Sequence, residues 1–181
     1  MTTTAVNTKW TIDPTHSEVQ FKVKHLVIST VTGTFKSFNG TVDTTTGDFT
    51  NADIRFSLDV DSIDTNQGQR DGHLKSDDFF AAAKYPNITF TSTGFDKIGG
   101  DEYKLKGNLT IKDVTKPVVL DVEYGGSAKD FYGNEKAGFE INGKINRKDF
   151  GLAWDGITEA GAIVVGEEIK LNFNIQLAKE A

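Results

Sequence analysis

No cysteine occurs anywhere in the 181-residue chain. That excludes disulfides, thiolate metal ligands and a cysteine nucleophile, and it leaves the redox compartment open. Histidine is nearly as scarce. His16, His25 and His73 lie far apart, so a metal centre would have to be gathered entirely by the fold. Asp59, Asp61 and Asp64 are close together but lack the glycine of a calcium loop, and the first two fall on the solvent side of an alternating run. No glycine-rich phosphate loop, nucleophile elbow or helical His/Glu pair is present, so the chain reads as a protein without catalysis or cofactor. No apolar run reaches the length of a membrane span. The opening MTTTAVNTKW has neither the cationic start nor the apolar stretch of a secretory leader, which makes the chain cytoplasmic as written, or periplasmic if it is a renumbered mature form. A net charge of -6 argues against nonspecific binding to nucleic acid.

What the chain does have is alternation. Val19, Phe21, Val23, His25 and Val27 share one face of a strand whose other face begins Glu18, Gln20, Lys22, Lys24. Gly33 and Phe35 continue the pattern, and a shift of parity at Lys36-Ser37 before Phe38, Gly40 and Val42 marks a bulge or turn. TTTGDFTN reads as a turn. Ala52, Ile54, Phe56, Leu58 and Val60 then alternate with Asp53, Arg55, Ser57, Asp59 and Asp61. Further strands carry Ile88 and Phe90, then Tyr103 to Ile111 after a hairpin at Gly99-Gly100, then Val118 to Tyr124. A polar loop, GGSAKDFYGNEK, leads to Phe139, Ile141 and Ile145, and the last strand runs from Ile169 to Leu177. Gly151 to Gly166 is an irregular, glycine-rich loop. About eight half-buried strands without βαβ alternation form an all-β domain, either a barrel or a sandwich. The barrel is favoured, because closure removes the edges that long regular strands would expose.

One stretch breaks the pattern. In Arg70 to Pro86, Ser76 resembles an N-cap with Asp77 and Asp78 at the positive end of a helix whose body is Phe79 to Ala83, within a helical segment spanning about residues 66–84. Such a segment is suited to cover one opening of the barrel. Polar residues also occupy positions where the period demands apolar ones: His25 after Val23, and Arg147 two after Ile145. Burial of such groups costs several kcal/mol unless they are paired. Either Arg147 meets Asp149 or Asp71 and His25 meets a carbonyl, or His25, Arg70, His73, Arg147 and Asp149 surround a polar head group at one end of an apolar cavity. The lining of that cavity is then Phe21, Val23, Phe35, Phe56, Leu74, Phe79, Phe80, Phe90, Leu109, Ile111, Phe139, Ile145 and Phe150.

Several stretches together resemble the YceI-like family. They are Trp10-Thr-Ile-Asp13 with His16-Ser17, Val19-x-Phe21-x-Val23-x-His25 and Gly33-x-Phe35, followed by Arg70-Asp71-x-His73-Leu74 and Asp78-Phe79-Phe80. Tyr85-Pro86-x-Ile88-x-Phe90, Gly107-x-Leu109-Thr110-Ile111 with Val114 to Pro117, and Ile145-x-Arg147-x-Asp149-Phe150-Gly151 complete the series. The resemblance covers one domain with a core at about residues 10–178. It implies an elongated, antiparallel, lipocalin-like barrel that binds, transports or sequesters a long-chain lipid. The expected ligand is a polyisoprenoid such as a polyprenyl phosphate or an isoprenoid quinone, with fatty-acid-like or amide lipids as variants. At about 0.3 kcal/mol per atom, ten buried tail carbons contribute roughly 3 kcal/mol, so tail length should dominate affinity. Two other functions stay open. One is an enzyme acting on an isoprenoid lipid through His73 or His25, and the other a stress-related interaction module whose barrel surface, alone or as a homodimer, binds another protein.

Overall fold

In the computed structural model the described residues are 7–26, 28–45, 49–154 and 165–180. Eleven strand segments, β1 (Thr8–Ile12), β2 (Glu18–His25), β3 (Ser29–Phe35), β4 (Phe38–Thr44), β5 (Asp53–Asp59), β6 (Ile63–Asp64), β7 (Asn87–Gly99), β8 (Glu102–Ile111), β9 (Val114–Lys129), β10 (Glu135–Asn146) and β11 (Val165–Lys179), form one antiparallel sheet. Three pairs of segments are single strands broken by a short kink: β1 with β2 at Pro14–His16, β3 with β4 at Lys36-Ser37, and β5 with β6 at Val60–Ser62. Counted that way there are eight strands, and the pairing of β1 with β11 closes them into a barrel. The parity shift at Lys36-Ser37 is therefore the point where one strand leaves β2 and β6 and joins β1 and β5.

Alternation fails in two informative places. β9 and β10 extend into the stretch expected as a polar loop, leaving only residues 130–134 as the turn. Every residue from Gly125 to Lys129 is exposed, because β9 here runs past the end of β8, whose outermost pair is Glu102 with Glu123, and is flanked by β10 on one side only. A period that depends on one buried face cannot survive there. The second place is the cover. The helix α1 occupies Gly68–Lys75, and Ser76 is its C-cap rather than its N-cap. The Gln67 side chain caps the start by accepting from the Arg70 N–H at 3.0 Å, and the Ser76 hydroxyl donates to the His73 carbonyl at the end. Asp71 then lies in the first turn and Lys75 in the last, which suits the helix dipole. Phe79 to Ala83 form turns instead, with Ala81 at φ +47°, so that Phe79 and Ala81 turn into the core.

The two ends of the barrel differ. The β4–β5, β7–β8 and β9–β10 connections lie at one end, and the β2–β3 and β8–β9 connections, the 65–86 segment and the 147–154 turn lie at the other. Of the sequence expectations, those on Val27 and on the loop over 155–164 lie outside the described residues.

Candidate functional site

The inward residues of the closed sheet do not meet at the centre. They surround a cavity of about 140 Å³, measured as the space open to the centre of a water-sized sphere. A packed interior contains few voids larger than one water, which needs roughly 10–15 Å³. The lining is aliphatic and aromatic, apart from Thr41 and Arg55 beside the side-chain-free Gly40. Glycine decides where aromatic rings are placed. A Cβ at Gly107 would collide with the Phe90 ring and come within 2.6 Å of the Thr91 carbonyl, so the bare backbone of β8 gives that ring its seat against the wall.

Six of the expected lining residues do face this space: Phe56, Phe90, Leu109, Ile111, Phe139 and Ile145. Phe21, Phe35, Leu74, Phe79, Phe80 and Phe150 belong to the same apolar cluster but do not line the cavity. They build the cover instead, with Phe35 between Phe21 (ring centroids 5.5 Å) and Phe80 (6.2 Å). Val23 is half-buried and also off the lining. Phe49, Phe95, Leu105, Leu120 and Phe173 line it as well. Inward parity on the strands marks most of these, but nothing in the sequence marks Phe49. It comes from the β4–β5 turn, where no periodicity operates.

The polar residues expected at one end are all at the cover end, but Arg147, Arg70 and His73 are tied into local structure, while Asp149 and His25 are exposed. Arg147 is 2% exposed in the turn Arg147–Phe150. Among the described residues its guanidinium donates to four carbonyls: Nε to Gly166 at 2.7 Å, Nη1 to Leu152 at 2.5 Å and Trp154 at 2.8 Å, and Nη2 to Val165 at 3.0 Å. The cation thus fastens the turn to β11, and neither Asp149 nor Asp71, the carboxylates expected from the sequence, is among these described partners. Asp71 is engaged elsewhere, accepting from the Thr65 N–H and hydroxyl, while Asp149 is exposed. Arg70 donates to the Thr65 hydroxyl at 2.7 Å and carbonyl at 2.6 Å, locking the entry to α1. His73 pairs with Asp78 at 2.9 Å and packs edge-on against Trp154 (4.6 Å) and Phe79 (5.1 Å). His25 keeps its inward parity but is exposed, because β2 runs beyond the packed part of the barrel before it reaches this residue.

This combination of a kinked, closed sheet, a hollow apolar centre and a short helical cover can be compared with known proteins. A model of the YceI-like domain matches residues 10–177. The chain belongs to the YceI-like family. Protein YceI of Salmonella newport is 41% identical over 156 residues, covering 85% of this chain and 81% of the relative. The crystal structure of the Campylobacter jejuni YceI protein is 40% identical with a TM-score of 0.73, covering 88% of this chain and 91% of that one. A polyisoprenoid binding domain from Saccharophagus degradans shares the fold at 18% identity and a TM-score of 0.68, covering 94% and 98% of the two chains. The YceI-like assignment and the closed barrel agree with the fold expected from the motifs.

Proposed function

We propose that this protein binds a long-chain amphiphile of the polyisoprenoid type, holding the tail in the barrel lumen without transforming it. The observation that carries the reading is the cavity itself: a closed sheet encloses an apolar space far larger than a packing void. Such a hollow forgoes dispersion contacts that a filled core would make, and an apolar tail restores them. The Saccharophagus degradans relative, described as a polyisoprenoid binding domain, supports the choice of ligand class.

The tail enters under the cover. Turns and one eight-residue helix close that end, and such segments open at lower free energy than strands paired on both edges. The head group then remains at the cover, near His73, Trp154 and α1. Carriage is favoured over turnover because neither histidine through which a catalytic reading would act lines the lumen: His73 packs against Trp154 and Phe79 in the cover, and His25 is exposed at a strand tip.

Organic extraction of the purified protein followed by mass spectrometry tests the reading. A long-chain lipid recovered in stoichiometric amount is expected. A protein that yields none, and takes up none from isoprenoid quinones or prenyl phosphates, ends it.

A further inference from the structure

The end of the barrel opposite the cover is closed by rings in two tiers. Phe49, Phe95 and Phe139 face the cavity, while Trp10, Tyr103 and Tyr124 stand behind them. Phe49 is the hub. Its ring centroid lies 4.9 Å from Phe139, edge to face at 87°, 5.3 Å from Trp10 and 5.7 Å from Tyr124. Phe95 stacks on Tyr103 at 4.6 Å and meets Phe139 at 6.5 Å. Phe95 and Phe139 belong to the wall, as inward positions of β7 and β10. Phe49 does not. It hangs from the β4–β5 turn, which is held in place by the Asn51 N–H donating to the Phe95 carbonyl at 2.9 Å and the Ala52 N–H donating to the Phe49 carbonyl at 3.0 Å.

We propose that Phe49 is a stopper that sets the length of tail the lumen accepts, a specificity role that rests on the lumen being the lipid site. A tail advancing from the cover meets the Phe49 ring at the far end. The walls there are strands closed on both sides, so the turn-borne ring is the part of the floor whose removal lengthens the space without opening the sheet. The edge-to-face contact with Phe139, together with those to Trp10 and Tyr124, fixes the ring in one orientation. Each added isoprene unit gains affinity until the tail touches this ring, and further units remain outside.

The test uses delipidated protein and the alcohols geraniol, farnesol, geranylgeraniol and longer all-trans homologues, with dissociation constants measured by native mass spectrometry. For the wild type, affinity is expected to rise about tenfold per isoprene unit and then level off. In Phe49→Ala the levelling point moves to a tail at least one unit longer, and in Phe49→Leu, the milder variant less prone to unfold, it moves the same way. Phe80→Leu, an equal truncation in the cover, leaves it unchanged. A levelling point identical in wild type and a folded Phe49 variant overturns the stopper while leaving the lumen reading intact. A wild type that binds none of these alcohols removes both.

Discussion

The two ends of this barrel are closed by opposite means. The floor is made of rings: Phe49, Phe95 and Phe139 backed by Trp10, Tyr103 and Tyr124. The cover is apolar inside as well, but it is held in shape by polar side chains binding backbone: Arg147 to four carbonyls, Arg70 and Asp71 to Thr65, and Gln67 and Ser76 at the ends of α1. The difference teaches what each end needs. Phe95, Phe139, Trp10, Tyr103 and Tyr124 stand on strands whose backbone is paired in the ladders, so packing suffices. Irregular backbone leaves carbonyls without ladder partners, and an unsatisfied buried carbonyl costs about 1–3 kcal/mol, so the cover requires donors. A buried cation that serves four carbonyls is thereby a structural element of the lid.

The contrast is broken most forcefully at Arg147. Replacing it by Met keeps much of its volume but removes every donor, and a loss of about 3–5 kcal/mol is expected from the denaturant midpoint. If Arg147→Met unfolds within 1 kcal/mol of the wild type, the cover is held by packing after all, and the distinction between the ends collapses.

Next in size is Gly107→Ala, midway between the ends. Overpacking against the Phe90 ring is expected to destabilise by about 1–3 kcal/mol and to push that ring into the lumen, weakening tail binding. Stability loss with unchanged lipid affinity would place the tail somewhere other than beside Phe90.

The floor end has polar fastenings too, and the strongest is on the outside. Asp13, at the kink between β1 and β2, accepts from the Thr15 hydroxyl at 2.7 Å, His16 at 2.9 Å and Lys136 at 3.1 Å. The Thr15 hydrogen bond, followed by those of His16 and Lys136, holds its carboxyl well below the ordinary carboxylate range. A lowered folded value gives stabilisation that is full above the unfolded carboxylate pKa of about 3.9 and lost as the pH falls toward the folded value. Asp13→Asn should therefore be about 1–2 kcal/mol less stable than wild type at neutral pH, with the gap narrowing in acid below about pH 4. A gap that stays constant across that titration would show that Asn replaces the carboxylate in shape only.

The smallest effect is expected at His73. Its pair with Asp78 is partly exposed, so His73→Gln should cost less than about 1 kcal/mol. What should change is the rate at which bound lipid exchanges, measured by transfer to acceptor vesicles, since the ring also packs on Trp154. Unaltered exchange would remove His73 from the entrance.

Much of the barrel was legible because alternation is a local consequence of one buried face. Tyr103 and Leu105, or Ile175 and Leu177, declare their side of the sheet without knowledge of their neighbours. The far end of β9 reads as loop for the same reason, since Gly125 to Lys129 have no buried face to declare. Ser76-Asp77-Asp78 imitates a helix start so well that the sequence alone placed α1 after it, whereas Gln67 and Asp71 start the helix earlier. Within the site, Phe56, Phe90 and Leu109 followed from parity, while Phe49 did not, because a turn residue carries no period.

By itself, then, the sequence determined the strand faces, the all-β class and the presence of charged groups where apolar ones belong. Only the tertiary structure decided that the inward faces stop short of one another and leave a hollow, that among the described residues the Arg147 guanidinium meets four carbonyls, and that Phe49 lines the far end. The physical reason is that periodicity reports whether a residue faces inward. How much space lies inside depends on closure and on which side chains arrive from elsewhere in the chain.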